Sequence, residues 1–519
     1  MTDPADWLLT ASERANADTV IDQQCDDGTA WLDGNLVTPL VHGSAYFADL
    51  HARLLATEPG DLVLFTDWQG DADERLTGEP GSEVLEVLGS ADERGVDVRG
   101  LVWRSHLDQT GFFAAENRHL GERLQQRGAE VLLDMRVRAG GSHHQKFVVI
   151  RHRDDPSRDV AWIGGIDLAH SRRDDAEHRG DPQSDPLADE YGDRPPWHDV
   201  QVRVQGPAVH AVETVFRERW EDPTPLSRSP LRQWADRLRR LDTSPDPLPP
   251  QSPPPPVAGA HRVQLLRTYP NLRHGRDYPF ARGGERSVAR GYTKAVRRAR
   301  RLVYVEDQYF WGDDVAGTFL PALREHPELR VVVVIPLYPD VAGRLSRPAE
   351  LLGRTRALKA LIEAAPGRVA AYGIENHAGT PVYVHAKVCV MDDVWASVGS
   401  DNFNRRSWTH DSELSCVVLD EDYATSLRLE LAAEHLDREP GDTDDLRDPY
   451  AMYDAYEHSA AALDAWHDGG RTGERPPGRL RTLPLEELGP WQARLAQLPL
   501  SHVHDPDGRP GPLRGGTDY

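Results

Sequence analysis

The order of segments in this chain runs through twice, and that duplication restricts the folds open to it more than any single motif does. LVLFTDW (62 to 68) is answered by LVYVEDQ (302 to 308), SHHQKFVVI (142 to 150) by YVHAKVCVM (383 to 391), WIGGID (162 to 167) by SVGSDN (397 to 402), and HDVQVRV (198 to 204) by DSELSCV (411 to 417). Apolar runs that read as buried strands occur at 62–65, 96–103, 131–133, 147–150, 162–166 and 200–204. They recur at 302–305, 329–335, 369–372, 388–391, 396–398 and 414–419. Between them lie stretches such as 46–56, 118–127, 288–301 and 350–364, whose apolar residues return at three- and four-residue steps and predict helices. Each half is therefore expected to be an α/β unit with a mixed sheet. The two units should pack about a pseudo-two-fold axis, with the active site at their interface.

The stretch SPDPLPPQSPPPP (244 to 256) fits neither a helix nor a sheet and predicts an extended connector. The expected organisation is an N-terminal half over 1–243, a linker over 244–257, a second half over 258–437 and a polar extension over 438–519. The extension reads as an appendage or partly disordered tail with a short helix near 450–466. Residues 174–196 form a long polar insertion close to the repeated motifs, and long loops often carry function.

Two of the four lysines follow a histidine by two residues, in His144-Gln145-Lys146 and His385-Ala386-Lys387. Chance predicts roughly 0.2 such pairs in this composition, so two at matching places in a repeat mark selection on those side chains. The chain uses Arg almost wherever a positive charge is needed, since 60 basic residues include only Lys146, Lys294, Lys359 and Lys387. A lysine here points to a task for a compact, rotatable ammonium that a guanidinium fork does not perform. In an extended segment residues i and i+2 share a face, so each His and its Lys look the same way.

After each pair comes a turn of small and polar residues, including Asp167 in the first half and Ser400 and Asn402 in the second, and then a carboxylate, Asp199 or Glu413. Facing each other, the halves would bring two imidazoles, two ammoniums and an amide to one pocket, a set suited to a phosphodiester. One neutral imidazole attacks phosphorus while a protonated one delivers a proton to the departing alkoxide. Lys146, Lys387 and Asn402 meet the charge on the non-bridging oxygens. Asp199 and Glu413 fix a histidine's tautomer through its other ring nitrogen. This scheme calls for no metal and no cofactor.

His385-Ala-Lys387 with Asp392, GSDNFNRRS (399 to 407) and Asp411-Ser-Glu413 resembles the HKD motif of the phospholipase D superfamily. SHHQKFVVI, GGIDL (164 to 168), Pro196-Trp197-His198-Asp199 and the stretch 287–310 are similar to the phosphatidylcholine-hydrolysing phospholipases D. The resemblance covers about residues 40 to 435 and implies that His144 is the nucleophile and His385 the acid. It also implies hydrolysis of a phospholipid's distal phosphodiester, or transfer to another alcohol. The first motif departs from the pattern: Arg151 stands where an aspartate is expected, on the strand face opposite Lys146, which makes that carboxylate, like Asp392, structural.

Glu306 and Gln308 at a strand end, Trp197, Ser400 and Asp167 are candidates for contact with substrate; the matching bland reading is a solvated strand end and packing aromatics. A net charge of -24 repels polyanions, so nucleic acid is not an expected partner. Three cysteines are too few for a disulfide framework or zinc site, and no apolar run nears the roughly 20 residues a bilayer span needs. A monomer in the cytoplasm is expected, with a phospholipid or other phosphodiester as substrate and at most a peripheral membrane contact. The alternatives are a superfamily phosphodiesterase acting on nucleic acid or a small soluble phosphodiester, and a catalytically weak phosphate-binding homologue.

Overall fold

The computed structural model describes residues 3–106, 114–272, 277–340, 346–439, 441–514 and 519. Each of the twelve apolar runs overlaps a strand, and the two halves repeat one topology. From the inside outward the first half orders its strands Leu32–Val41, Val200–Gln205, Val160–Gly164, Phe147–Arg151, Leu62–Asp67, Asp97–Trp103 and Glu130–Asp134. The second orders them His261–Tyr269, Glu413–Leu419, Trp395–Gly399, Val388–Met391, Leu302–Glu306, Arg330–Val334 and Val369–Ile374. In each half the first four pairings are antiparallel and the last two parallel.

The innermost strand of each half was not legible as such, and these two strands make the halves one body. Leu32 pairs with Val263 and Asn35 with His261, which fuses the half-sheets into a single 16-stranded sheet. Leu32–Val41 carries Asp33, Gly34, Asn35 and Pro39, all depleted in strands. His261–Tyr269 interrupts its apolar residues with Arg267, a buried cation neutralised by Glu218 and Glu285 at 2.6 Å each. The repeat also slides by one residue near its end. Gly164 faces Gln201 where Gly399 faces Ser415, so the structural counterpart of Glu413 is Asp199.

Helices cover both faces, because strand side chains alternate between two cores. Val63 and Phe65 pack with Leu50, Leu88 and Leu124 from helices Gly43–Leu55, Val84–Glu93 and Ala114–Arg127. Leu62 and Leu64 point the other way, into a core that runs on through Val212 and Phe216 to Tyr304, Val390 and Leu427 of the second half. The linker is irregular and held at intervals: Asp246 O accepts from Trp220 Nε1, and Ser252 O and Pro253 O accept from Arg151.

The C-terminal extension corrects an expectation. Helix Pro449–Asp468 buries Met452 and Tyr456 in the shared core, and Leu480–Thr482 joins the sheet antiparallel to Val369–Ile374. Helix Pro490–Pro499 packs Ala496 against Trp311 and Leu352. These residues are part of the folded body, not a loose tail. Their abundance of Asp, Arg, Gly and Pro hid a strand of only three residues.

Candidate functional site

Each His-x-Lys segment reaches across the axis and is pinned to the other half. His144 N donates to Ser412 O at 3.0 Å and Ser412 N to Ser142 O at 3.0 Å; in the mirrored position His385 N donates to His198 O at 2.8 Å. The side chains repeat the exchange. Glu413 lies 2.9 Å from His144 Nδ1, and Asp199 lies 2.6 Å from His385 Nδ1. A carboxylate from one half thus orients the imidazole of the other, and both Nδ1 atoms are engaged. Among the described residues neither Nε2 has a hydrogen-bond partner.

The two lysines are buried beside these rings. Lys146 Nζ donates to His144 O at 3.0 Å, lies 3.6 Å from Asp167 and sits over the Trp68 ring at 5.8 Å. Lys387 Nζ donates to His385 O and, at 3.3 Å, to Gln308 Oε1. Asn402 is buried, and its side-chain oxygen has no hydrogen-bond partner among the described residues.

Burial and converging charge set the proton affinities. Burial, then Lys146 and Lys387, hold His144 well below the usual imidazole range. Burial, Lys387 and Arg172 do the same to His385, with smaller contributions from Lys146 and His144, which shows that the two motifs share one electrostatic environment. Burial next to Asp411 pushes Glu413 up to about 8, and burial raises Asp199. Desolvation and the neighbouring Lys146 bring Lys387 down to about 8.

Several candidates for substrate contact are placed elsewhere. Glu306 is fully buried, bonded to His198 Nε2 at 2.7 Å and to the Tyr304 hydroxyl at 2.5 Å, so it does not face a substrate. Ser400 is also buried; its hydroxyl donates to Glu413 at 2.5 Å and accepts from Leu414 N, which makes it a support for the carboxylate. Asp167 accepts from Trp68 N and Gln69 N at 3.1 Å each and fixes the turn that presents Trp68. Trp197 packs on the His385 ring with centroids 5.0 Å apart, and Gln308 ties Lys387 to the hydroxyls of Tyr309 and Tyr383. Asp392 takes backbone N–H groups of Arg300, Arg301 and Leu302 at 2.7–2.9 Å.

Arg151 does different work. It bonds Asp159 at 2.8 Å and Glu213, and it reaches the linker carbonyls, while Asp61, just before the neighbouring strand, accepts from Arg153 N. Arg151 fastens the linker. Arg151→Met is expected to lower stability by about 3 kcal/mol by leaving two buried carboxylates short of a cation. Thermal unfolding would register that loss, and kcat measured well below the transition should match wild type.

Sequence reasoning missed Arg172, Trp68 and a buried cluster behind the site. Arg172 stacks over Trp197 at 4.3 Å and lies 3.6 Å from Asp167. Its signal was its place just after GGIDL, at the mouth of the polar insertion. His42, His178, His198 and Glu434 bring their ligand atoms within 4.8 Å of one another. Glu434 bridges His42 at 2.7 Å and His178 at 2.8 Å, while His198 binds Glu306 and is pushed up to about 10 despite its burial. Three imidazoles and a carboxylate would hold a divalent cation only with the proton on His198 displaced. The four come from distant points in the chain, and no local spacing announced them.

A family described as Phospholipase D matches residues 77–318, and one described as Cardiolipin synthase, PLD-like domain, matches 345–434. Phospholipase D alpha 1 of Cynara cardunculus is 25% identical over 65% of this chain and 55% of its own length. Phospholipase D beta 2 of Arabidopsis thaliana is 25% identical over 72% and 53%. The chain thus spans about half the length of the curated relatives it matches. In fold it is similar to phosphatidylserine synthase of Haemophilus influenzae Rd KW20, with a TM-score of 0.50 and 11% identity over 77% of this chain and 86% of that one.

Proposed function

Because the chain belongs to the phospholipase D superfamily, we propose that it acts on the distal phosphodiester of a glycerophospholipid, giving phosphatidate and the free headgroup alcohol. The observation that carries this reading is the reciprocal exchange of carboxylates between the halves, Glu413 to His144 and Asp199 to His385. It leaves two Nε2 atoms available beside two ammoniums.

His144 Nε2 attacks phosphorus, and the bond to the headgroup oxygen breaks as His385 Nε2 gives that oxygen its proton. Burial depresses His385 in the free protein; an anionic phosphodiester between Lys146 and Lys387 offsets their charge and restores its proton affinity. Asp199 stabilises the imidazolium so formed, as Glu413 supports the Nδ1–H of the phosphorylated His144. Both lysines and Asn402 meet the charge that gathers on the equatorial oxygens. In the second half-reaction neutral His385 takes a proton from water or an alcohol, which attacks the phosphohistidine and frees His144.

The test is headgroup release from phosphatidylcholine and phosphatidylethanolamine vesicles, with a single-stranded oligonucleotide and a small soluble diester assayed alongside. Lipid turnover with phosphatidate as product supports the reading. Cleavage of the oligonucleotide or soluble diester without lipid turnover replaces it with another superfamily phosphodiesterase.

A further inference from the structure

Seven of the eleven large apolar side chains that stand exposed among the described residues belong to two short segments. Helix Pro230–Arg239 exposes Leu231, Trp234 and Leu238 at 79%, 61% and 64%. Helix Pro490–Pro499 exposes Trp491, Leu495 and Leu498 at 78%, 72% and 64%, and Val503 just beyond it at 62%. The spacing is three and four residues in both, so each helix presents an apolar stripe outward. Its other side is fixed: Asp236 pairs with Arg104 at 2.5 Å, and Ala496 packs against Trp311.

The two stripes are tethered to one place. Arg232 donates to Ser105 O and His106 O, and His106 Nε2 lies 2.6 Å from Gly141 O. From the other side Arg406 donates to Val503 O at 2.7 Å and to Gly140 O at 2.9 Å. Gly140 and Gly141 lead directly into His143 and His144. The stripes therefore flank the rim of the site.

Charge on the first helix indicates what covers them. The protein carries -24 overall, yet between 228 and 240 lie Arg228, Arg232, Arg237, Arg239 and Arg240 against a single acid, the buried and paired Asp236. Leu and Trp on one face with Arg on the flanks is the composition of a helix that lies in a membrane interface, with tryptophan at the headgroup level and arginine against anionic lipid.

We propose that helices Pro230–Arg239 and Pro490–Pro499 form a bilayer-docking face that seats the rim of the site on an anionic phospholipid surface. This rests on the phospholipase reading only in that a lipid substrate lies in that surface; binding is measured without turnover. The experiment is co-sedimentation of the full chain with vesicles of phosphatidylcholine containing about one-third phosphatidylglycerol, with the variants Leu231→Glu/Trp234→Glu and Trp491→Glu/Leu495→Glu. Circular dichroism melts confirm folding, which substitution at such exposed positions should leave intact. Each pair is expected to weaken vesicle binding about tenfold or more, and to lower headgroup release from vesicles while release from a monomeric short-chain phosphatidylcholine stays at wild-type rate. Wild-type failure to bind these vesicles, or variants that bind as wild type does, overturns the proposal. So does a wild-type dimer that the substitutions dissociate, since a second copy would then be the occupant. Binding lost in the variants of a protein that turns over no lipid would sink the phospholipase reading and leave the docking face standing.

Discussion

Alanine at His144 is expected to lower headgroup release by about ten-thousandfold or more, because it removes the atom that bonds to phosphorus in both half-reactions. Alanine at His385 should cost as much in turnover, but with a p-nitrophenyl phosphodiester it should spare the first half-reaction. A nitrophenolate departs without a proton, so the first half-reaction no longer needs the acid. The second still does, because His385 must take the proton of the attacking water. His385→Ala should therefore release one equivalent of nitrophenolate per protein in a rapid burst and then stall with phosphorus on His144. His144→Ala should show neither burst nor phosphoprotein. Rapid-mixing absorbance and detection of an acid-labile phosphohistidine read both outcomes. A burst in His144→Ala would reverse the roles, and neither burst nor phosphoprotein in His385→Ala would remove the covalent step.

That such roles can be assigned to single atoms reflects how much of this site was legible in the chain. The two His-x-Lys segments carried it, because strand parity fixes each pair on one face and a duplication brings two such faces together. The carboxylates were legible as types but not as partners. That Glu413 serves His144 and Asp199 serves His385 follows from the crossing of segments, seen in Tyr383 pairing with Trp197 and His143 with Ser412, and crossings leave no local pattern. Glu306 and Ser400 were misread for the opposite reason. A carboxylate at a strand end and a hydroxyl in a turn look exposed in sequence, and only packing turns them inward, to His198 and Glu413. The same limit applies to the fold. Runs of Val, Ile and Leu announced the twelve buried strands, whereas the two strands that unite the halves break their apolar residues with Asp33, Gly34, Asn35 and Pro39 in one and Gln264 and Arg267 in the other.

The lysines supply the second large effect, and here charge alone is not enough. Lys146 and Lys387 are buried, and a guanidinium fork is wider than an ammonium, so Lys387→Arg is expected to cost about a hundredfold in rate although the positive charge is kept. The substitution also has a signature in pH. In the free protein two groups titrate close together: Glu413, pushed up to about 8, and Lys387, brought down to about 8. When a protonated Glu413 donates to Nδ1 of His144, the neutral imidazole carries its own proton on Nε2, so Nε2 has no lone pair for attack. Loss of that proton as pH rises switches the nucleophile on. Loss of the Lys387 proton over the same range switches the phosphate site off. The profile of kcat/KM should thus be a narrow bell centred near pH 8, since it reports the free protein. A bound phosphodiester anion holds the proton on Lys387, so the falling limb of kcat should lie at higher pH. In Lys387→Arg the guanidinium keeps its charge throughout, and the falling limb of kcat/KM should vanish, leaving a rise to a plateau. Glu413→Gln should remove the rising limb instead. A falling limb that persists unchanged in Lys387→Arg would assign it to another group and break the link between this ammonium and the transition-state charge.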